Sequence, residues 1–130
     1  MPLDVAFAHP ARFKVRASGE ITLTEIERAI ASIVTHPGLR GADVLVDAHD
    51  VNGVPSTPEL RAVARNMVPL LDCGLGAVGV ASNNEMIYGV ARMFGVFAEA
   101  VGAKVGAFRE IDEASRWLAE RRDEVSAPGT

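Results

Sequence analysis

The chain has 130 residues, 48% of them hydrophobic and 23% charged, with 13 basic side chains against 17 acidic ones for a net charge of −4. That length fits one domain with one core, and the composition excludes an intrinsically disordered chain. The acidic balance argues against a dedicated nucleic-acid binder, whose phosphate contacts need a basic face.

A single cysteine excludes an internal disulfide and a thiolate-cage zinc site, and fits a reducing compartment such as the cytoplasm. The opening Met1-Pro2-Leu3-Asp4 is acidic where a signal peptide is basic, and no apolar run reaches membrane-spanning length.

Two strands are expected first, over Asp4 to His9 and Arg12 to Ser18. In the second, Phe13, Val15 and Ala17 alternate with Arg12, Lys14 and Arg16, the period of a sheet with one wet face. His9-Pro10-Ala11 suits a tight connection, and Gly19 ends the strand. Thr22 and Thr24 each stand three residues before a glutamate, so either can form a capping box. The helix that follows lines up Leu23, Ile26, Ile30, Ile33 and Val34, and stops before His36-Pro37-Gly38.

Asp43 to Ala48 reads as a short strand buried on both faces, followed by a loop from His49 to Pro55. Ser56 with Glu59 makes another capping box, whereas Thr57 as cap places Pro58 at the first helical position. The second helix runs through Leu60, Val63, Ala64 and Met67 until Pro69 kinks or ends it. Ala77 to Ala81 is the next buried strand. Ser82-Asn83-Asn84-Glu85 then opens a long apolar third helix, Lys104 to Phe108 forms a last strand, and Ile111, Ala114, Trp117 and Leu118 mark a final helix. Residues 1–124 form the domain and 125–130 a frayed tail.

The order β-β-α-β-α-β-α-β-α predicts a single α/β domain. Its sheet has four or five mainly parallel strands, an antiparallel hairpin at one edge, and helices on both faces.

Together with that order, three stretches resemble the SpoIIAA-like branch of the STAS family, the anti-sigma-factor-antagonist fold. They are Val15-Arg16-Ala17-Ser18-Gly19-Glu20-Ile21-Thr22, Val44-Leu45-Val46-Asp47, and the run from Val105 to Leu118 with its closing Glu113-Ala114-Ser115-Arg116-Trp117-Leu118. The resemblance implies a non-catalytic protein-interaction or regulatory module with no cofactor. In regulatory members the loop after the central strand carries an Asp-Leu-Ser…Asp-Ser-Ser-Gly pattern whose second serine is phosphorylated. Laid over this chain, Asp47 and Val51 match it and Ser56 and Thr57 fall on the serine pair, while Pro55 replaces the aspartate and Pro58 the glycine. Some members of the branch are compared with Sec14-type lipid-binding domains, which implies an apolar ligand as the alternative; an enzyme of unknown reaction is the third reading.

Five features bear on candidate chemistry. Ser56 or Thr57, at a helix N-terminus, faces free backbone N–H groups that favour a bound or attached phosphate, or else serves as an ordinary cap. Asp47, His49 and Asp50 cluster at the carboxyl end of a central strand, where open α/β sheets place ligand crevices; a solvated turn is the alternative to proton transfer or metal binding there. Cys73 has only Asp72 beside it, short of what a catalytic thiolate needs. His9 and His36, each before a proline, read as surface loop residues. Gly74, Gly76 and Gly79 spell G-x-G-x-x-G, but they enter a strand rather than open a helix, so no dinucleotide site follows.

The third helix is apolar over an unusual width: Met86, Ile87, Tyr88, Val90, Met93, Phe94 and Phe97. Met86, Val90, Met93 and Phe97 form a stripe that can pack on the sheet. The surplus points to a symmetric homodimer face or a groove for a small apolar ligand, with deep core packing as the plain alternative. Gly89 and Gly95 permit close approach of another backbone.

Overall fold

The sheet is built by the alternation and apolar runs noted above. The computed structural model describes residues 3–8 and 11–126, with side chains of the last helix described as far as Arg122. The elements are β1 Leu3–Ala8, β2 Arg12–Glu20, α1 Leu23–Val34, β3 Asp43–Gly53, α2 Thr57–Asn66, α3 Val68–Asp72, β4 Val78–Ala81, α4 Glu85–Ala100, β5 Val105–Phe108 and α5 Ile111–Ser126. The five strands lie in sequence order; β1 pairs antiparallel with β2 and all later neighbours run parallel. The central match is as expected, with Val44 opposite Val78 and Asp47 opposite Ala81.

Helices cover the faces unequally. Phe13 and Val15 of β2, Val44 of β3 and Val78 of β4 point into one core with Ile33 of α1, Leu70 of α3 and Ala98 of α4. On the opposite face Leu45 and Ala81 meet only α5, through Ala114 and Leu118. A methyl at Gly95 would come within 3.0 Å of the Val105 carbonyl oxygen, so α4 lies hard against β5 there; Gly89 has open space beside it.

Several expectations need correcting. Gly19 does not end β2: it takes φ +71, which glycine tolerates, and the strand continues to Glu20. The helix expected to kink or end at Pro69 ends at Asn66, and a short α3 starts at Val68 with Pro69 in its first turn. β3 does not give way to a loop at His49. It runs to Gly53 because two register shifts against β2 absorb the extra polar residues, the first between the pairs Arg16–Asp47 and Ser18–Asp50. His36 is no free surface loop residue: its ring packs 4.7 Å from Phe7 and 5.1 Å from Phe13, centroid to centroid. His9 lies outside the described residues, as does the expected tail beyond Ser126; α5 takes in Val125 and Ser126.

The stripe expected on the third helix is also out of phase. Met86 is 57% exposed, while Ile87, Ala91 and Ala98 are buried. Asn84 caps the start of α4, its Oδ1 accepting the N–H of Met86 and of Ile87.

The α5 layer is tied down by a buried carboxylate. Asp43, 4% exposed, accepts Arg12 Nε at 2.7 Å on one oxygen and Arg122 at 2.6 Å on the other. Arg12 also donates to Ser115 Oγ of α5 at 2.9 Å, and Arg122 to the Ala11 carbonyl at 2.8 Å. Removing the shared acceptor strands two guanidinium groups. Asp43→Ala is expected to lower unfolding free energy by about 3 kcal/mol in urea titrations, and Arg122→Ala by less, because Arg12 still satisfies the carboxylate.

Candidate functional site

At the carboxyl ends of the strands the structure keeps Asp47 and His49 together and leaves Asp50 outside the pair. Ser56 is the N-cap of α2. Its hydroxyl accepts the Glu59 N–H at 3.4 Å, while its own N–H and hydroxyl each reach Glu59 Oε1 at 3.0 Å. Those bonds, from the backbone N–H and then the hydroxyl, hold the Glu59 carboxyl below its ordinary pKa. A negative charge therefore already stands where an anion at this helix end would bind. Thr57 is the first helical residue and exposed, with Pro58 behind it.

Asp47 and His49 form a pair within β3. The His49 backbone N–H donates to Asp47 Oδ1 at 3.1 Å, and the ring Nδ1 lies 2.8 Å from the same oxygen. Partial burial works to raise the Asp47 pKa, but the His49 bonds, with the charges of His49 and Arg16, outweigh it and leave the carboxyl below its ordinary value. Asp50 is exposed and adds nothing to the pair. Among the described residues no group of three or more His, Cys, Asp or Glu side chains is placed to hold a metal ion. Cys73 is exposed at the end of α3.

A wholly apolar cleft lies elsewhere. A cavity of about 190 Å³ opens between the sheet and helices α1, α2 and α4, and every side chain lining it is hydrocarbon. Ala17, Val46, Ala48 and Val80 form its floor, with Ile26 on one wall and Leu60 and Val63 on another. Ile87, Val90, Ala91 and Phe94 of α4 complete it, and Val54 and Pro55 stand at the end of β3. Ala17, Ala48 and Ala91 are buried yet carry only a methyl each, so three elements contribute least bulk to the same space.

Of the broad apolar surface expected on the third helix, Ile87, Val90 and Phe94 line this cleft, and Met86, Tyr88, Met93 and Phe97 do not. Part of the remainder is covered from within the chain. The Arg109 guanidinium sits 4.3 Å from the Tyr88 ring centroid and pairs with Glu85, and Arg61 of α2 sits 4.9 Å from that of Phe97. Val96 stays 66% exposed. Ile87, Val90 and Phe94 thus turn from the wide apolar helix toward the cleft, while the alanines around it, spread over three elements, gave no periodic signal.

The fold is similar to that of an uncharacterised protein from the DUF3478 family with a SpoIIAA-like fold, from Shewanella loihica PV-4. The two are 16% identical with a TM-score of 0.55, over 89% of this chain and 91% of the other. This chain therefore has a SpoIIAA-like α/β fold. No protein-family model and no curated protein matches the sequence. No helix among the described residues is long and apolar enough to cross a membrane.

The cap assignment has a direct consequence. Ser56→Ala is expected to cost about 1 kcal/mol of stability in thermal or urea denaturation, and Thr57→Ala only a few tenths, since Thr57 makes no cap bond.

Proposed function

We propose that this domain is a non-catalytic binding module, acting in the cytoplasm, whose ligand is a small apolar molecule held in the cleft between the sheet and helices α1, α2 and α4. The observation that carries the reading is the lining: about 190 Å³ bounded by hydrocarbon side chains only. That volume exceeds the roughly 150 Å³ of an engineered cavity that stays dry and takes up benzene. Binding would be driven by removing apolar surface from water, at roughly 25 cal/mol per Å², with no directional polar contact inside the cleft. A polar end, if the ligand has one, would stay at the mouth.

A second reading, a protein-interaction module that associates with a partner protein or its own copy through α4, is favoured by the exposure of Met86 and Val96 at 57% and 66%. The two readings differ in which side of α4 they use.

Ala91→Leu tests the first. Leucine at this position fills the cleft from the α4 wall, so the variant should melt at the same temperature or higher. Titration with 1-octanol, followed by methyl and amide chemical shifts, should saturate for the natural chain and weaken at least tenfold for Ala91→Leu. Equal affinity in the two proteins would remove the cleft as the binding site.

A further inference from the structure

We propose that the amino end of the parallel strands carries an anion site, in which Arg121 and Arg122 of α5 hold a phosphate group beside the glycine loops that precede β3 and β4. A cavity of about 370 Å³ opens there, on the face of the sheet that α5 covers and away from the apolar cleft. Its charged lining is Asp43, Arg121 and Arg122, and Leu75, Ala77 and Leu118 form its apolar wall.

The charges in that lining do not cancel. Both Asp43 oxygens are taken, one by Arg12 Nε at 2.7 Å and the other by Arg122 Nη2 at 2.6 Å. Two guanidiniums against one carboxylate leave a positive charge over, and Arg121 adds a second. Arg122 spends only Nη2, on Asp43 and on the Ala11 carbonyl; among the described residues its Nε and Nη1 make no hydrogen bond. Arg121 sits over the Trp117 ring, 5.1 Å from its centroid, a contact that leaves the N–H groups unspent. Among the described residues no carboxylate pairs with it. Glu120 is exposed and, two residues on from Leu118, stands on the other side of α5.

The rim is fixed before any ligand arrives. The Gly41 N–H donates to the Gly74 carbonyl and the Gly76 N–H to the Ala42 carbonyl, both at 2.8 Å. Gly41 and Gly74 take φ +80 and +96, and a methyl at Gly76 would come within 3.2 Å of the Ala42 carbonyl oxygen, so the two loops meet this closely because they are glycine. A preformed wall beside guanidinium groups already lodged on the Asp43 clamp and on Trp117 lowers the ordering cost of binding. Two surplus positive charges match a phosphate group, which carries roughly −1.5 to −2 at neutral pH, better than a carboxylate with its single charge.

The isotope-labelled full chain is titrated with phenyl phosphate, inorganic phosphate and benzoate at constant ionic strength, followed by backbone amide and arginine side-chain shifts. Saturable shifts at Gly41, Gly74, Gly76, Arg121 and Arg122 are expected with both phosphates, and at least fivefold weaker binding of benzoate than of phenyl phosphate. Tighter binding of phenyl phosphate assigns the site to a phosphate ester, and equal or tighter binding of the inorganic ion assigns it to free phosphate; both support the site. Arg121→Gln leaves the Asp43 clamp intact and should weaken phenyl phosphate at least fivefold, while Arg28→Gln on α1 should not change it. No saturable shift with either phosphate at millimolar concentration, benzoate binding as tightly, or equal affinities for Arg121→Gln and Arg28→Gln would overturn the proposal. So would shifts centred on Val63 and Ile87, because the phenyl group would then be occupying the apolar cleft.

Discussion

The carboxylate of Asp43 ties the start of β3 to β2, to the hairpin turn and to α5 at a single point. Its two oxygens hold a guanidinium from β2 and another from α5, and those same guanidiniums reach the Ala11 carbonyl beside the hairpin turn and the Ser115 hydroxyl. One residue thus fixes the start of β3 against the hairpin and clamps the single helix of the second layer. Its ionic character is suited to the place. The residues around the strand starts are not fully dry, with Arg122 29% exposed at its side chain, so the charges are paired without the full desolvation penalty of a deep core.

Because α5 alone covers that face, it shields β3 to β5 and leaves the β1–β2 half to water. Lys14 and Arg16 point there and keep the hairpin's outer face wet, while Phe13, Val15 and Ala17 point the other way. The first four helices crowd onto the other face, and the imperfect fit of α1, α2 and α4 over it leaves the apolar cleft. The asymmetry of layers follows from the strand patterns. β2 alternates and is covered on one face, whereas β3 and β4 carry apolar runs and are covered on both.

Much of this was legible in the chain. The buried strands at Val44 to Val46 and Val78 to Ala81, the alternating β2, and the Ser56–Glu59 and Thr22–Glu25 capping boxes appear where composition and spacing put them. The second half of β3 did not show, because His49, Asp50 and Asn52 read as turn chemistry and only the register shifts let a strand carry them. The phase of α4 was missed for a related reason. With apolar residues almost all round, periodicity cannot choose the buried side, and tertiary packing such as the close approach at Gly95 decides it. His36 looked like a loop residue because its aromatic neighbours, Phe7 and Phe13, are distant in sequence.

The cleft is the least legible feature and the one with the clearest chemical consequence. An alanine at 17, 48 or 91 is unremarkable singly, and only the fold brings the three around one space. Xenon offers the most direct measurement, since it enters dry apolar cavities without requiring any polar contact. Methyl spectra of the full chain under rising xenon pressure should show saturable shifts at Leu60, Val63 and Ile87, with surface methyls such as Met86 following only a weak linear drift. Linear drift of equal size at all four positions would contradict an open apolar cleft beneath α2 and α4.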